Sequence, residues 1–237
     1  MTYPPSYPHD PIEEIASDVF MVRGSIRMNP LMRISRNMAI IRDDGELTVI
    51  NPMRLSDEGE RQLRELGEVK RIVRLGAMHG VDDPYYVDTF RAELWSQSGG
   101  TIYPEPAIDV ALTEETELPF PGARLFCFRD VVEPESYLLM DRGGGLLLTC
   151  DGIQHYGDYS HNTLVARMVM PFIGFPQETI IGPLWLKLQT PEGGSLRADL
   201  ARLVSLEFDS LLSAHGTYLA NDAKAAVRAA FDKTFPD

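Results

Sequence analysis

Three residues able to hold a metal stand in the same local setting. His79 lies just beyond the apolar run VKRIVRLGA (69–77), Asp151 follows LLLTC (146–150), His215 follows SLLSA (210–214), and each is itself followed by glycine. Strand ends are where sheets usually place their sites, and a glycine there lets the backbone turn closely around a ligand group. Two imidazoles and a carboxylate form a donor set that suits Zn best, with Fe or Mn as alternatives. One divalent cation so held would acidify a water molecule and supply a nucleophile at neutral pH. The same residues would also serve as hydrogen-bonded strand ends, with Asp151 capping the segment that follows, and spacing alone leaves both readings open. Of the other histidines, His9 reads as a surface residue of a polar tail, and His155 and His161 as surface or cleft-wall groups after Asp151.

The elements around these residues alternate between strands and helices. Residues 1–15 are proline-rich and polar and read as an N-terminal arm, ahead of one domain over 16–237. DVFMVRG (18–24) reads as a strand. IRMNPLMRISR (26–36) mixes apolar and basic residues around a proline and reads as a loop over a cleft. NMAIIRDDGELTVINP (37–52) reads as a hairpin turning at Asp43-Asp44-Gly45. LSDEGERQLRELG (55–67) reads as a helix with Ser56 as N-cap and Gly67 as its end. Asp83 and Pro84 start a further helix expected to run to about Gln97, and TIYPEPAI (101–108) a short strand and loop. ARLFCFRDV (123–131) and SYLLMDRGGGLLLTCD (136–151) supply a strand and a second hairpin. SLRADLARLVSLEF (195–208) carries Leu196, Leu200, Leu203 and Val204 on one helical stripe, and NDAKAAVRAAFDK (221–233) is the terminal helix. Both halves run from strands into helices, so two facing sheets with outer helices explain the order better than two domains.

Composition narrows the partners. The chain has 237 residues, 44% hydrophobic and 24% charged, as expected of a globular domain. Its 22 Lys and Arg against 35 Asp and Glu give a formal charge of -13, which repels phosphate backbones and anionic membranes. No run approaches the roughly 20 apolar residues of a membrane span, and the opening residues lack a basic, then apolar, leader. The expectation is a cytoplasmic protein acting on a small molecule, with no nucleic-acid or membrane partner. Cys127 and Cys150 lie in apolar segments and read as buried free thiols. The aromatic and proline-rich stretch 152–191 suits a pocket wall or a homodimer surface.

Taken together, DVFMVRG, NMAIIRDDGELTVINP, VKRIVRLGAMHGVDD, LLLTCDG and LLSAHG resemble the metallo-β-lactamase superfamily, closest to its divergent branch, over nearly the whole chain. The resemblance implies an α/β (α+β) fold, a four-layer αββα sandwich with a metal site at the edge between two sheets. The family's HxHxDH loop falls here on Ala77, His79, Val81 and Asp82, so only its second histidine is intact. A later histidine falls near Val132 and is missing, with Glu133 and Glu135 close by; the bridging aspartate matches Asp151 and the last histidine His215. The resemblance therefore implies one metal on His79, Asp82 or Asp83, Asp151 and His215. With valine where the family has its water-orienting aspartate, Asp83 or Glu133 is the candidate for that catalytic role. Arg33, Arg36 and Arg54 border the expected cleft, where an arginine fork would grip a carboxylate or phosphate, or would pair within this acidic chain.

Two functional expectations follow. The first is a metal-dependent hydrolase of a small ester, lactone or related substrate. The second is a non-catalytic member of the same fold, binding a metabolite or a protein through a degenerate site. A redox role for a bound iron is a third, less economical one, since no flavin-binding segment is present in the chain.

Overall fold

Strand alternation decides which side chains enter which layer. In a strand, successive side chains point to opposite faces, and here both faces of the central strands are apolar. The computed structural model describes residues 3–236. A first sheet orders β1 (Glu13–Ala16), β2 (Val19–Asn29), β3 (Met32–Asp43), β4 (Glu46–Ile50), β5 (Glu68–Arg74), β6 (Glu93–Ser96) and β7 (Val110–Ala111) side by side in chain order. β1 to β4 pair antiparallel, and β4 to β7 parallel. The second sheet contains β8 (Ala123–Cys127), β9 (Ser136–Met140), β10 (Leu146–Thr149) and β13 (Ser210–Ser213), in the order β13-β10-β9-β8. β11 (Ile153–His155) and β12 (Thr179–Ile181) form a separate ribbon.

Val19 and Met21, Ala39 and Ile41, Leu138 and Met140, Leu146 and Leu148, and Leu212 meet between the two sheets. The alternate residues of the first sheet, Phe20, Val22, Ile40, Leu47 and Val49, pack outward with Leu63 of α1 (Asp57–Leu66) and with Tyr85 and Tyr86 of α2 (Asp83–Phe90). On the far side, Tyr137, Leu139, Leu147 and Leu211 pack on α4 (Pro183–Gln189), α5 (Arg197–Val204) and α6 (Ala223–Thr234) through Trp185, Leu200, Leu203, Val227 and Phe231. α3 (Leu164–Val169) lies apart, against β3. The layers are helix, sheet, sheet, helix, as the sequence order predicts. Each half repeats one plan: antiparallel neighbours, then a parallel strand reached through a helical crossover, which parallel pairing requires.

Local readings hold where a capping or turn residue marks them. The Ser56 side chain accepts from the Gly59 N–H at the start of α1, and Gly45 turns the β3–β4 hairpin at φ +79°. Three readings need correction. Residues 26–36 are not a loop: β2 and β3 pair almost continuously from Val19↔Ile41 to Arg27↔Arg33. Asn29 Oδ1 accepts from the Leu31 and Met32 N–H groups and makes the turn that looked like a break. The helix from Asp83 stops at Phe90 rather than Gln97, because Arg91 takes a left-handed conformation and Leu94-Trp95-Ser96 pair with β5. Residues 101–108 form no strand. The N-terminal segment runs along the first sheet: Asp10 N–H donates to the Arg23 carbonyl, β1 is the edge strand beside β2, and His9 Nε2 accepts from the Ser56 N–H.

Leu148 is almost wholly enclosed in the core between the sheets. Leu148→Ala should lower stability by about 2–5 kcal/mol in urea denaturation, since a cavity there has rigid strands on both sides. A loss under about 1 kcal/mol would contradict the two-sheet packing.

Candidate metal centre

The ends of β5, β10 and β13 meet at one edge of the sandwich. Because β10 and β13 run parallel in register, their ends present Asp151 and His215 side by side. The end of β5 is drawn to the second sheet by Ser136 N–H donating to the Leu75 carbonyl at 2.7 Å, and a short 3-10 turn, Ala77–His79, carries His79 inward. His79 Nε2 lies 3.2 Å from Asp151 Oδ2, and His215 Nε2 lies 3.1 Å from Asp151 Oδ1. One potential ligand atom from each lies within 4.8 Å of the others. All three side chains are buried or nearly so.

Hydrogen bonding fixes one imidazole. His215 Nδ1 is 2.7 Å from the Ser35 carbonyl oxygen, which can only accept, so Nδ1 carries the proton. In its neutral form His215 then aims the lone pair of Nε2 at a carboxylate oxygen. Two acceptors at that distance need a cation between them, either a proton or a metal ion. Ser35 also holds the next residue, its hydroxyl accepting from the Gly216 N–H at 2.8 Å. Gly216 sits at φ +84°, where a Cβ would collide with the His155 carbonyl, so only glycine lets His215 turn back to the cluster. His79 Nδ1 is buried without a hydrogen-bond partner. Burial pushes the His79 imidazole below its ordinary pKa, against the attraction of Asp151. Burial also opposes ionisation of Asp151, yet the His79 and His215 nitrogens hold its carboxyl well below the usual carboxylate range. A buried anion between two neutral-capable imidazoles, with an orphaned ring nitrogen, fits a divalent cation.

The other expected site residues are turned elsewhere by arginines. Asp82, expected as a ligand, lies 3.6 Å from the Arg36 guanidinium, and Arg36, 1% exposed, also donates to the Pro52 and His79 carbonyls. Asp83, fully buried, lies 3.1 Å from Arg74, reached from β5. Glu133 accepts from the Thr101 N–H and hydroxyl. None of these three has a ligand atom in the cluster with His79, Asp151 and His215. His155 bonds Thr179 and His161 pairs with Asp10, both outside it. Arg54 stacks on Tyr85 rather than facing the cluster, and Cys127 and Cys150 are free.

The sequence reading noted Glu135 beside the missing histidine and gave it no role. Its Oε1 accepts from the Gly152 N–H at 2.7 Å, and Glu135, Cys150 and Asp151 form a second group of potential ligand atoms. Burial, reinforced by the Asp151 charge, pushes its carboxyl well above the ordinary value. Its only sequence signal was adjacency to the place of the missing histidine, in VVEPES.

The cluster forms the floor of a cleft of about 360 Å³ whose wall includes Met32, Ile34, Met170, Phe175 and Trp185. Three protein donors beside a cleft match the count of catalytic rather than structural zinc sites.

No protein-family model and no curated protein matches the chain. Solved structures do. A metallo-β-lactamase from Erythrobacter litoralis aligns at TM-score 0.63 and 12% identity, covering 93% of this chain and 90% of that one. FIM-1, a metallo-β-lactamase from Pseudomonas aeruginosa solved in its mono-zinc form, aligns at TM-score 0.62 and 12% identity over 98% of each chain. A flavoprotein from Thermotoga maritima aligns at TM-score 0.60 and 12% identity, over 96% of this chain and 61% of its own. At such identities the likeness is one of fold: the chain has the metallo-β-lactamase architecture, with a degenerate His/Asp cluster at the sheet edge.

The Asp83–Arg74 pair has a pH signature. Burial pushes the Asp83 carboxyl up to about 7, Arg74 offsetting only part of that. Between about pH 4 and 7 the folded chain then holds a proton that the unfolded chain has released, so this group's contribution to stability falls as pH rises and levels off above 7. Urea midpoints of the parent chain should fall relative to those of Asp83→Asn across that window. Parallel profiles would refute the assignment.

Proposed function

We propose that the chain is a metal-dependent hydrolase of an ester, lactone or related small substrate, holding one divalent cation, zinc first among the candidates, on His79, Asp151 and His215. The observation that supports this most is the convergence of His79 Nε2 and His215 Nε2 on the two oxygens of Asp151, at 3.2 and 3.1 Å, on the floor of a cleft. When bound, the cation would supply Lewis acidity and an acidified water.

The chain's own residues supply position and exclusion. The Ser35 carbonyl holds the proton of His215 on Nδ1 and leaves Nε2 as the donor. Asp151 is anchored through its neighbours, its carbonyl accepting from Gln154 Nε2 and the next N–H, that of Gly152, donating to Glu135. Arg36 clamps the His79 carbonyl and so fixes the turn that carries the imidazole. The apolar cleft wall keeps bulk water from the reacting group and strengthens every charge interaction inside it.

One observation favours the second reading, a binding protein without turnover. Asp82 and Asp83 are paired with Arg36 and Arg74, Glu133 is held by Thr101, Val81 carries no carboxylate, and Glu135 beside Asp151 is engaged by the Gly152 N–H, so each carboxylate that could take a proton from water is already held by another group. Hydrolysis at this site therefore depends on the acidity conferred by the cation alone.

Elemental analysis by inductively coupled plasma mass spectrometry of untagged chain, purified without chelator, should find about one Zn, Fe or Mn per chain. The Asp151→Ala, His215→Ala double variant should lose it while keeping its circular dichroism spectrum. No metal after reconstitution with each of the three ions would overturn metal-dependent hydrolysis and leave the binding reading.

A further inference from the structure

The walls of the cleft carry more information about the substrate than the cluster does. Met28 and Met32 come from the β2–β3 hairpin, Met78 from the turn before His79, and Met170 and Ile173 from the turn after α3. Unbranched thioether side chains adapt to ligands of varied shape. The lining holds one cationic side chain, Arg36, and its guanidinium is already engaged by Asp82 and by two backbone carbonyls. Two polar side chains near the floor are likewise paired: Tyr156 OH donates to Gln154 Oε1, and Gln154 Nε2 to the Asp151 carbonyl. A carboxylate or phosphate on the substrate would find no counter-charge in the wall, inside a chain of formal charge -13.

The apolar surface also continues out of the cleft. Met28, Ile173 and Leu184 line it and are each more than half exposed, and Phe172, beside Ile173, is almost wholly exposed. A patch of that kind, contiguous with a pocket, marks a ligand groove more often than an ordinary surface.

We infer that the cleft takes an uncharged, lipophilic carbonyl compound, an ester or lactone whose aliphatic chain lies along the methionine-lined wall while its carbonyl reaches the His79–Asp151–His215 cluster. The part concerning hydrolysis rests on the function proposed above; the part concerning ligand class does not.

The test separates the two parts. The full-length chain, stripped of metal so that no bound cation draws the anion, is titrated with the neutral fluorophore N-phenyl-1-naphthylamine, which is then displaced by methyl butanoate, hexanoate and octanoate and by the octanoate anion. Affinity should rise roughly tenfold for each two methylenes added, methyl octanoate should bind at least about tenfold tighter than octanoate, and Met28→Asp with Leu184→Asp, both at exposed positions, should weaken octanoate-ester binding about tenfold with an unchanged circular dichroism spectrum. Affinity independent of chain length, equal or tighter binding of the anion, or no binding of the fluorophore would each overturn the ligand class. In the zinc-reconstituted chain, kcat/KM for p-nitrophenyl octanoate should exceed that for the acetate. A preference for acetate would overturn the inference and leave the hydrolase reading standing; chain-length-dependent binding without any turnover would support the ligand class and overturn the hydrolase reading.

Discussion

A carboxylate held between two imidazoles in a nearly water-free edge is the interaction on which the rest of this structure turns. Asp151 is buried, and a buried anion is costly unless its partners are placed before it is. The placement is made by backbone: parallel pairing of β10 with β13 sets Asp151 beside His215, the Ser35 carbonyl fixes which His215 nitrogen faces it, and the Leu75–Ser136 contact brings the turn with His79 across from the first sheet. Both sheets must be present and in register for the cluster to exist. Their shared core of Leu138, Met140, Leu146 and Leu148 against Val19, Met21 and Ile41 is therefore as much a part of the site as the ligands are.

The surroundings of that cluster have been rebuilt around arginine. Arg36 and Arg74, both enclosed, take up the two aspartates of the loop after His79. Breaking either pair would strand a buried charge, so the loop is locked by ion pairs rather than by a second set of metal donors. With Ala77 and Val81 on the same loop, that segment contributes one residue, His79, to the cluster. What remains is a small cluster of His79, Asp151 and His215 under a largely apolar cleft.

Much of the architecture was legible because period-two apolar runs and turn residues are local signals. DVFMVRG, the Asp-Asp-Gly hairpin, the Ser56 cap and the Leu196–Val204 stripe all announce themselves within a few residues. The β2–β3 hairpin tip was hidden because Met28 and Met32 line the cleft beside Arg27 and Arg33, where partial burial leaves no clean alternation, and Asn29 makes its turn through a side chain. The false continuation of α2 arose because α2 and β6 are joined by a single left-handed residue, Arg91, with no glycine to mark it. At the site, the three strand ends could be found from apolar runs stopping at His-Gly or Asp-Gly, but the partners of Asp82, Asp83 and Glu133 are set by Arg36, Arg74 and Thr101 from other strands and loops. Ion pairing of that kind is a tertiary choice that spacing along the chain does not encode.

The most direct test of the central claim is anomalous X-ray diffraction from crystals of the zinc-soaked chain, collected on both sides of the zinc edge. The account predicts one anomalous peak, roughly 2.0–2.2 Å from a nitrogen of His79, Nε2 of His215 and a carboxylate oxygen of Asp151, with the Ser35–His215 hydrogen bond intact. A cluster without a peak, with the imidazoles bonded to Asp151 through protons alone, would contradict it and return these three residues to the role of a hydrogen-bonded sheet edge.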